Sequence, residues 1–278
     1  MSGYFRLSAL CAVLLVLFSS CSSTKQLSRR GVARIKAYTF AHGDIPKAFD
    51  GFRIAFISDL HYKSTLQEAG LSKLIKQLQL LHADVLLMGG DYKEGVENIA
   101  PLFQALSKVK PTYGIIGVLG NNDYEVGYDE LLREAKRNDI VLLENRCDTL
   151  LKEGERIVIA GVRNPFDLRT NGESPDRLLS DSDFVVLLSH TPDYAQDVDI
   201  RKSDLVLAGH THGGQVTLFG LYAPKTASHY GQHFRSGLRY TIQKKPVIIT
   251  NGIGTSQKPI RMFAPSEIVL VTLRRLFD

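Results

Sequence analysis

The sequence predicts an α/β fold in which a parallel or mixed sheet covered by helices packs against a second sheet. Three observations carry that expectation. Short apolar runs recur from Gly51 onward, helical patterns separate the early runs, and the later runs follow one another with few helices between them. The runs occupy 52–58, 85–89, 115–119, 141–143, 157–161, 184–189, 205–208, 247–251 and 268–273. Their length and β-branched content mark them as buried strands. Leu71, Leu74, Ile75, Leu78 and Leu81 recur at i, i+3 and i+4, the spacing of one helix face. Residues 97–108 and 128–138 carry similar patterns. Strand and helix alternating in the first half predict the covered sheet, and the strand-rich second half predicts its partner.

Length and composition set the frame. A chain of 278 residues with 44% hydrophobic content buries a substantial core, and one catalytic domain plus a tether is the economical organisation. The expected boundaries are a signal peptide or membrane anchor over 1–21, a linker with a leading strand over 22–50, and the catalytic domain over 51–278. A net charge of +5 suits anionic substrates or an anionic membrane surface, but it is too small to argue for nucleic acid.

The N-terminus has the plan of a secretory signal. Residues 7–18 are apolar apart from Ser8, follow Arg6, and give way to Ser19, Ser20 and Cys21. The stretch is short for a bilayer span, which takes about 20 apolar residues. Two readings stay open. Small residues before Cys21 resemble a bacterial lipoprotein signal, with Cys21 as the lipidated residue of an envelope protein, although Phe18 departs from the aliphatic residue usual at its place. Alternatively, Lys25, Arg29, Arg30, Arg34 and Lys36 after the stretch favour a signal anchor with the body on the cytoplasmic side. Either reading attaches the chain to a membrane. Cys147 stands alone in the catalytic part, which rules out an internal disulfide there and leaves it a structural thiol.

The chemistry is expected where apolar runs end. Asp59 and His61 follow the first run, Asp91 the second, Asn121, Asn122 and Asp123 the third, His190 the sixth, and His210 and His212 the seventh. In sheet-based enzymes the loops leaving the carboxyl ends of strands converge on one crevice. A mixed set of carboxylate, amide and imidazole ligands suits Mn, Fe or Zn better than Ca or Mg. The pairs Asp59/His61 and His210/His212 are expected to point to one side, because alternate residues of an extended segment share a face. His42 and His82 read as helix-end or surface residues.

Five such segments in this order resemble the calcineurin-like metallophosphoesterases over roughly residues 51–278. That resemblance implies a metallo-dependent phosphatase-like fold, α/β (α+β), with two mixed β-sheets sandwiched between helices. It implies that Asp59, His61, Asp91 and His212 hold one divalent metal ion. Asp91, Asn121, His190 and His210 would hold a second, with Asp91 bridging and manganese the expected metal. A bridging hydroxide would then attack phosphorus directly, with Asn122 and Asp123 in the catalytic segment. The closing stretch 251–268 and the run His210, Thr211, His212, Gly213, Gly214, Gln215 are similar to a branch of bacterial membrane-associated phosphodiesterases. That branch is related to the UDP-2,3-diacylglucosamine pyrophosphatase of lipid A biosynthesis. Arg261 and Lys258 become phosphate-contact candidates, and His229 and His233 candidates for a pocket rim.

One position departs from the pattern. Where many relatives carry a histidine, this chain has Asn122, whose amide donates a hydrogen bond but releases no proton. Three explanations are open: a leaving group that departs unaided, such as phosphate released from a pyrophosphate, a stand-in histidine such as His229 or His233, or degraded activity. The leading expectation is a phosphodiesterase or pyrophosphatase with a lipid-linked nucleotide as substrate. A general envelope phosphodiesterase and a non-catalytic metal-binding lipoprotein are the alternatives. Residues 52–273 contain no G-x-S-x-G elbow or Walker loop to support acyl transfer or nucleotide-driven phosphoryl transfer.

Overall fold

The computed structural model describes residues 21–22, 32–163 and 174–276. Among the described residues, fourteen strands and five α-helices follow one another along the chain. In chain order they begin with β1 (Cys21–Ser22), β2 (Arg34–His42), β3 (Arg53–Ile57), helix α1 (Glu68–Leu80), β4 (Val85–Met88), α2 (Ile99–Leu106) and β5 (Ile115–Gly117). Helices α3 (Asn121–Glu125) and α4 (Tyr128–Arg137) follow, then β6 (Ile140–Leu142), β7 (Arg146–Lys152), β8 (Glu155–Gly161) and β9 (Val185–Ser189). The chain closes with α5 (Tyr194–Asp197), β10 (Leu205–Ala208), β11 (Gly237–Tyr240), β12 (Pro246–Ile249), β13 (Arg261–Met262) and β14 (Glu267–Arg275).

Two six-stranded mixed sheets result, in the orders β2-β14-β3-β4-β5-β6 and β11-β12-β10-β9-β8-β7. In the first, β3 to β6 run parallel and β14 enters antiparallel to β3. In the second, β8, β9, β10 and β12 run parallel between antiparallel edges. The leading strand expected between residues 22 and 50 is β2, which pairs with β14 from Arg34↔Glu267 to Arg275↔His42.

Side-chain alternation explains why the sheets stack. Val186 and Leu188 of β9 face the space between the sheets, with Phe56, Leu87 and Val118 opposite. Val185 and Leu187 point the other way, onto Tyr194, Ile200 and Phe234. Both faces of the strand are therefore buried, which is why it reads as an unbroken apolar run. Leu71, Leu74, Ile75 and Leu78 of α1 cover the outer face of the first sheet with Leu102, Phe103 and Leu131. Full burial of each such side chain contributes roughly 1.5–3 kcal/mol. The outer face of the second sheet is covered by the four-residue α5 and by loops, among the described residues.

Candidate metal centre

The five strand ends converge. Asp59 and His61 follow β3, Asp91 follows β4, Asn121 opens α3 after β5, His190 follows β9, and His210 and His212 follow β10. Two groups form, each with its ligand atoms within 4.8 Å of one another: Asp59, His61 and His212, and Asp91, His190 and His210. Asn121 joins the second group, with Oδ1 3.2 Å from His190 Nε2. Asp91 stands between the groups, its Oδ2 3.4 Å from His61 Nε2 and 3.5 Å from His190 Nε2. His212 Nε2 lies 3.5 Å from Asp59 Oδ1, and His210 Nδ1 lies 3.1 Å from His190 Nε2.

Convergence is achieved by left-handed backbone, not by the pleat of an extended segment. Asp59, His61, Asp91, His210 and His212 all have positive φ, between 38° and 68°. Non-glycine residues held there cost of order 1–3 kcal/mol each and cluster at functional sites. The expectation of alternate residues on one strand face is therefore corrected. The strand ends at Ile57, and the tight turn after it aims both side chains. Backbone pairing holds that turn, with Asp59 N donating to Gly90 O at 2.9 Å and His61 N donating to Asp91 O at 3.0 Å.

Each buried imidazole has its second nitrogen engaged or its charge suppressed. His190 Nδ1 donates to the Gly89 carbonyl at 2.7 Å, which fixes the ring with Nε2 facing Asn121 and Asp91. His61 Nδ1 meets the Glu94 carboxylate at 2.8 Å, while its buried Nε2 has no hydrogen-bond partner. Burial lowers His210 to about 3 and holds His212 well below the ordinary imidazole range. For His61 and His190 burial acts in the same direction but is overcome. The hydrogen bond to Glu94 and the charge of Asp91 raise His61, and Asp91 raises His190 to about 9. Burial pushes Asp59 up. In Asp91 burial is outweighed by His190, and its carboxyl falls below the usual range. Two fully buried carboxylates that call for positive charge, beside an unpartnered imidazole nitrogen, fit divalent cations.

The remaining candidates have other tasks. Asp123 is buried and accepts three backbone amides, from Asp91 at 2.7 Å, Gly120 at 2.9 Å and Tyr92 at 3.1 Å. Burial, then the neighbouring Asp91, raises its carboxyl to about 6. It positions the Asp91 and Gly120 turns. Asn122 donates from its backbone to Asp91 Oδ1 at 3.0 Å and from its amide to Asp91 Oδ2 at 3.1 Å.

Arg261, expected at the phosphate, is instead 3% exposed and bonded to the carbonyls of Gly254, His212, Ala264 and Asn251. It is a buried bracket for the closing loops, its guanidinium donors taken up by backbone oxygens. Lys258 is exposed, and its carbonyl accepts from Gln215 Nε2 at 3.0 Å. His229 and His233 are exposed and lie against Asp193 and Tyr240, so the structure does not join them to the seven ligand candidates. The side chain of Cys21 lies outside the described residues, and the backbone of β1 pairs with β13. Glu94 and the buried Lys93, which donates to the Val126 carbonyl at 2.6 Å at the end of α3, were not anticipated. Neither lies at a strand end, so no periodicity marks it.

The profile of the calcineurin-like phosphoesterase family matches residues 52–214, and the chain belongs to that family. The chain is 27% identical over 248 residues to an uncharacterized metallophosphoesterase of Aquifex aeolicus, covering 87% of this chain and 92% of that protein. It is 28% identical to the uncharacterized metallophosphoesterase YkuE of Bacillus subtilis, covering 85% of this chain and 84% of the other. Among solved structures, NAD nucleotidase of Haemophilus influenzae is similar with a TM-score of 0.49 at 16% identity, over 77% of this chain and 55% of that one. The chain thus spans about half the length of that enzyme. It is a metal-dependent phosphoesterase with two candidate metal positions.

Proposed function

We propose that the chain hydrolyses phosphodiester or pyrophosphate bonds at a dinuclear centre held by Asp59, His61, Asp91, Asn121, His190, His210 and His212. The observation that supports this most is the placement of Asp91 between two ligand groups, within 3.5 Å of an imidazole nitrogen from each. Two divalent cations bound there, manganese first and iron or zinc as alternatives, supply charge for a phosphate and an acidified water. Within the chain, Asn121 Oδ1 and the imidazole lone pairs bind, Asp123 and Glu94 orient, and Asn122 fastens Asp91 through two hydrogen bonds. No side chain at position 122 delivers a proton, which supports substrates whose leaving group departs unaided.

The favoured substrate class is a pyrophosphate of a lipid-linked nucleotide such as UDP-2,3-diacylglucosamine, met by a domain attached to the membrane through its N-terminus. The apolar residues 7–18 support that attachment. A cytoplasmic-facing anchor suits that substrate, whereas lipidation at Cys21 on the outer side suits remodelling of envelope phosphodiesters. The test is manganese-dependent UMP release from the lipid-linked nucleotide by the full chain, beside an activated soluble diester and a chelated control. Release abolished by chelation supports the lipid substrate. Cleavage of the soluble diester alone leaves the phosphodiesterase reading and removes the lipid one. Activity unaffected by chelation contradicts the dinuclear centre, as does full turnover in Asp91→Ala or His190→Ala.

A further inference from the structure

We infer that the apolar tip formed by residues 216–222, with Ile260 and Phe263 beside it, is the face that docks onto an anionic phospholipid bilayer. The tip is an exposed apolar cluster. Leu221 is 82% exposed, Phe219 53%, Tyr222 52%, Leu218 51% and Ile260 41%. A folded chain rarely leaves such residues adjacent to one another without a partner. They are presented by a closed turn: Leu218 N donates to Tyr222 O at 2.7 Å, and Leu221 N donates to Leu218 O at 2.9 Å. The Phe219 and Phe263 rings lie 5.4 Å apart and tie the turn to the closing loop.

The occupant follows from where the N-terminal segment leaves the body. β1 runs antiparallel to β13, with Ser22 opposite Arg261 and Cys21 opposite Met262. Met262 also bonds the base of the tip, since Thr217 N donates to its carbonyl at 3.0 Å. Attachment through Cys21 or through the sequence before it therefore brings the bilayer to the side of the body where β1 pairs with β13, next to this tip. Charge agrees with that face. Lys225 and Lys258 are both exposed next to it, Lys225 Nζ reaching Gln257 Oε1 at 3.4 Å. Apolar side chains flanked by lysines such as Lys225 and Lys258 are the composition of an interfacial membrane contact.

The docking rests on the membrane attachment proposed above and not on the hydrolytic reading. The sequence contains no tryptophan, so Phe219→Trp places a single emitter at the tip, and Leu151→Trp places one on the exposed face of β7 as a control. Each full chain is reconstituted with vesicles of phosphatidylcholine and phosphatidylglycerol, with and without brominated acyl chains, and floated on a gradient. The expected result is flotation of both variants, with emission of the Phe219→Trp chain blue-shifted and quenched at least twofold by bromine and the Leu151→Trp chain unaffected. A second variant, Leu218→Ser with Leu221→Ser, is expected to dissociate from vesicles several-fold faster. Flotation with no change at position 219 overturns the docking, as does equal quenching at both positions or failure to float. Metal-dependent cleavage of a soluble diester, measured on the same variants without vesicles, reports the hydrolytic reading separately.

Discussion

At the scale of single residues, the second nitrogen of each imidazole says as much about the centre as the first. His190 Nδ1 is held by the Gly89 carbonyl and His61 Nδ1 by the Glu94 carboxylate, so each ring turns a defined nitrogen inward. Loss of such an outer partner typically weakens metal binding by 10–100-fold. Glu94→Gln is therefore expected to weaken manganese binding about tenfold or more, measured by titration calorimetry, with the folded state intact by circular dichroism. Asn122 has a different consequence. Its amide now donates to Asp91, so Asn122→His exchanges that hydrogen bond for a group able to deliver a proton. General-acid help is worth about 10²–10⁴ in rate where the leaving group needs it. The substitution is expected to raise kcat for an alkyl diester at least tenfold more than for a pyrophosphate, and an equal effect on both would count against the leaving-group explanation. Cys147 offers a check remote from the centre. Burial pushes its thiol up to about 11, so its thiolate is scarce at pH 8 and rises with pH. Its alkylation is expected to be on the order of a hundredfold slower at pH 8 than that of an ordinary thiol.

At the scale of elements, the nine apolar runs all became strands, most of them buried on both faces, which gives a run that sequence alone displays. The strands less visible in advance lie at edges. β2 alternates exposed and half-buried residues along the rim of the first sheet, and β7 buries only Leu150 of Arg146–Lys152 at the rim of the second. Edge strands bury one face or less, so their composition is mixed and no run stands out. The identities of the ligand candidates were legible for a related reason, since polar residues at the ends of buried runs have few structural uses. Their geometry was not legible. The left-handed turns at Asp59, His61, Asp91, His210 and His212 depend on tertiary pairing of one strand end with the next, which no local pattern encodes. The buried bracket at Arg261 was equally hidden, because a basic residue in a loop carries no mark of burial. Close packing of these turns makes a sharp prediction. A Cβ on Gly120 would stand 2.1 Å from Asp91 Oδ1 and 2.6 Å from Asp91 N. Gly120→Ala is expected to displace Asp91 and to reduce metal binding and turnover at least tenfold while the helices persist, as read by calorimetry and circular dichroism.

At the scale of the whole molecule, the centre joins two sheets that otherwise meet through an apolar core. Asp59, His61, Asp91 and Asn121 come from the first sheet, and His190, His210 and His212 from the second. Ions bound only by the folded state stabilise it by about 2.7 kcal/mol at a hundredfold excess over Kd. For a chain of this size that corresponds to a rise in Tm of several degrees, since about 1 kcal/mol moves a 150–250-residue domain by roughly 2–4 °C. Chelation is expected to lower Tm by that amount in the native chain and to leave His190→Ala unchanged, as followed by differential scanning calorimetry. The most direct measurement of the dinuclear claim is anomalous X-ray diffraction at the manganese edge from crystals of the full chain grown with manganese. Two peaks about 3.5–4 Å apart are expected, one against Asp59, His61 and His212, the other against Asn121, His190 and His210, with Asp91 touching both. A single peak, or peaks that leave Asp91 without a metal, would contradict it.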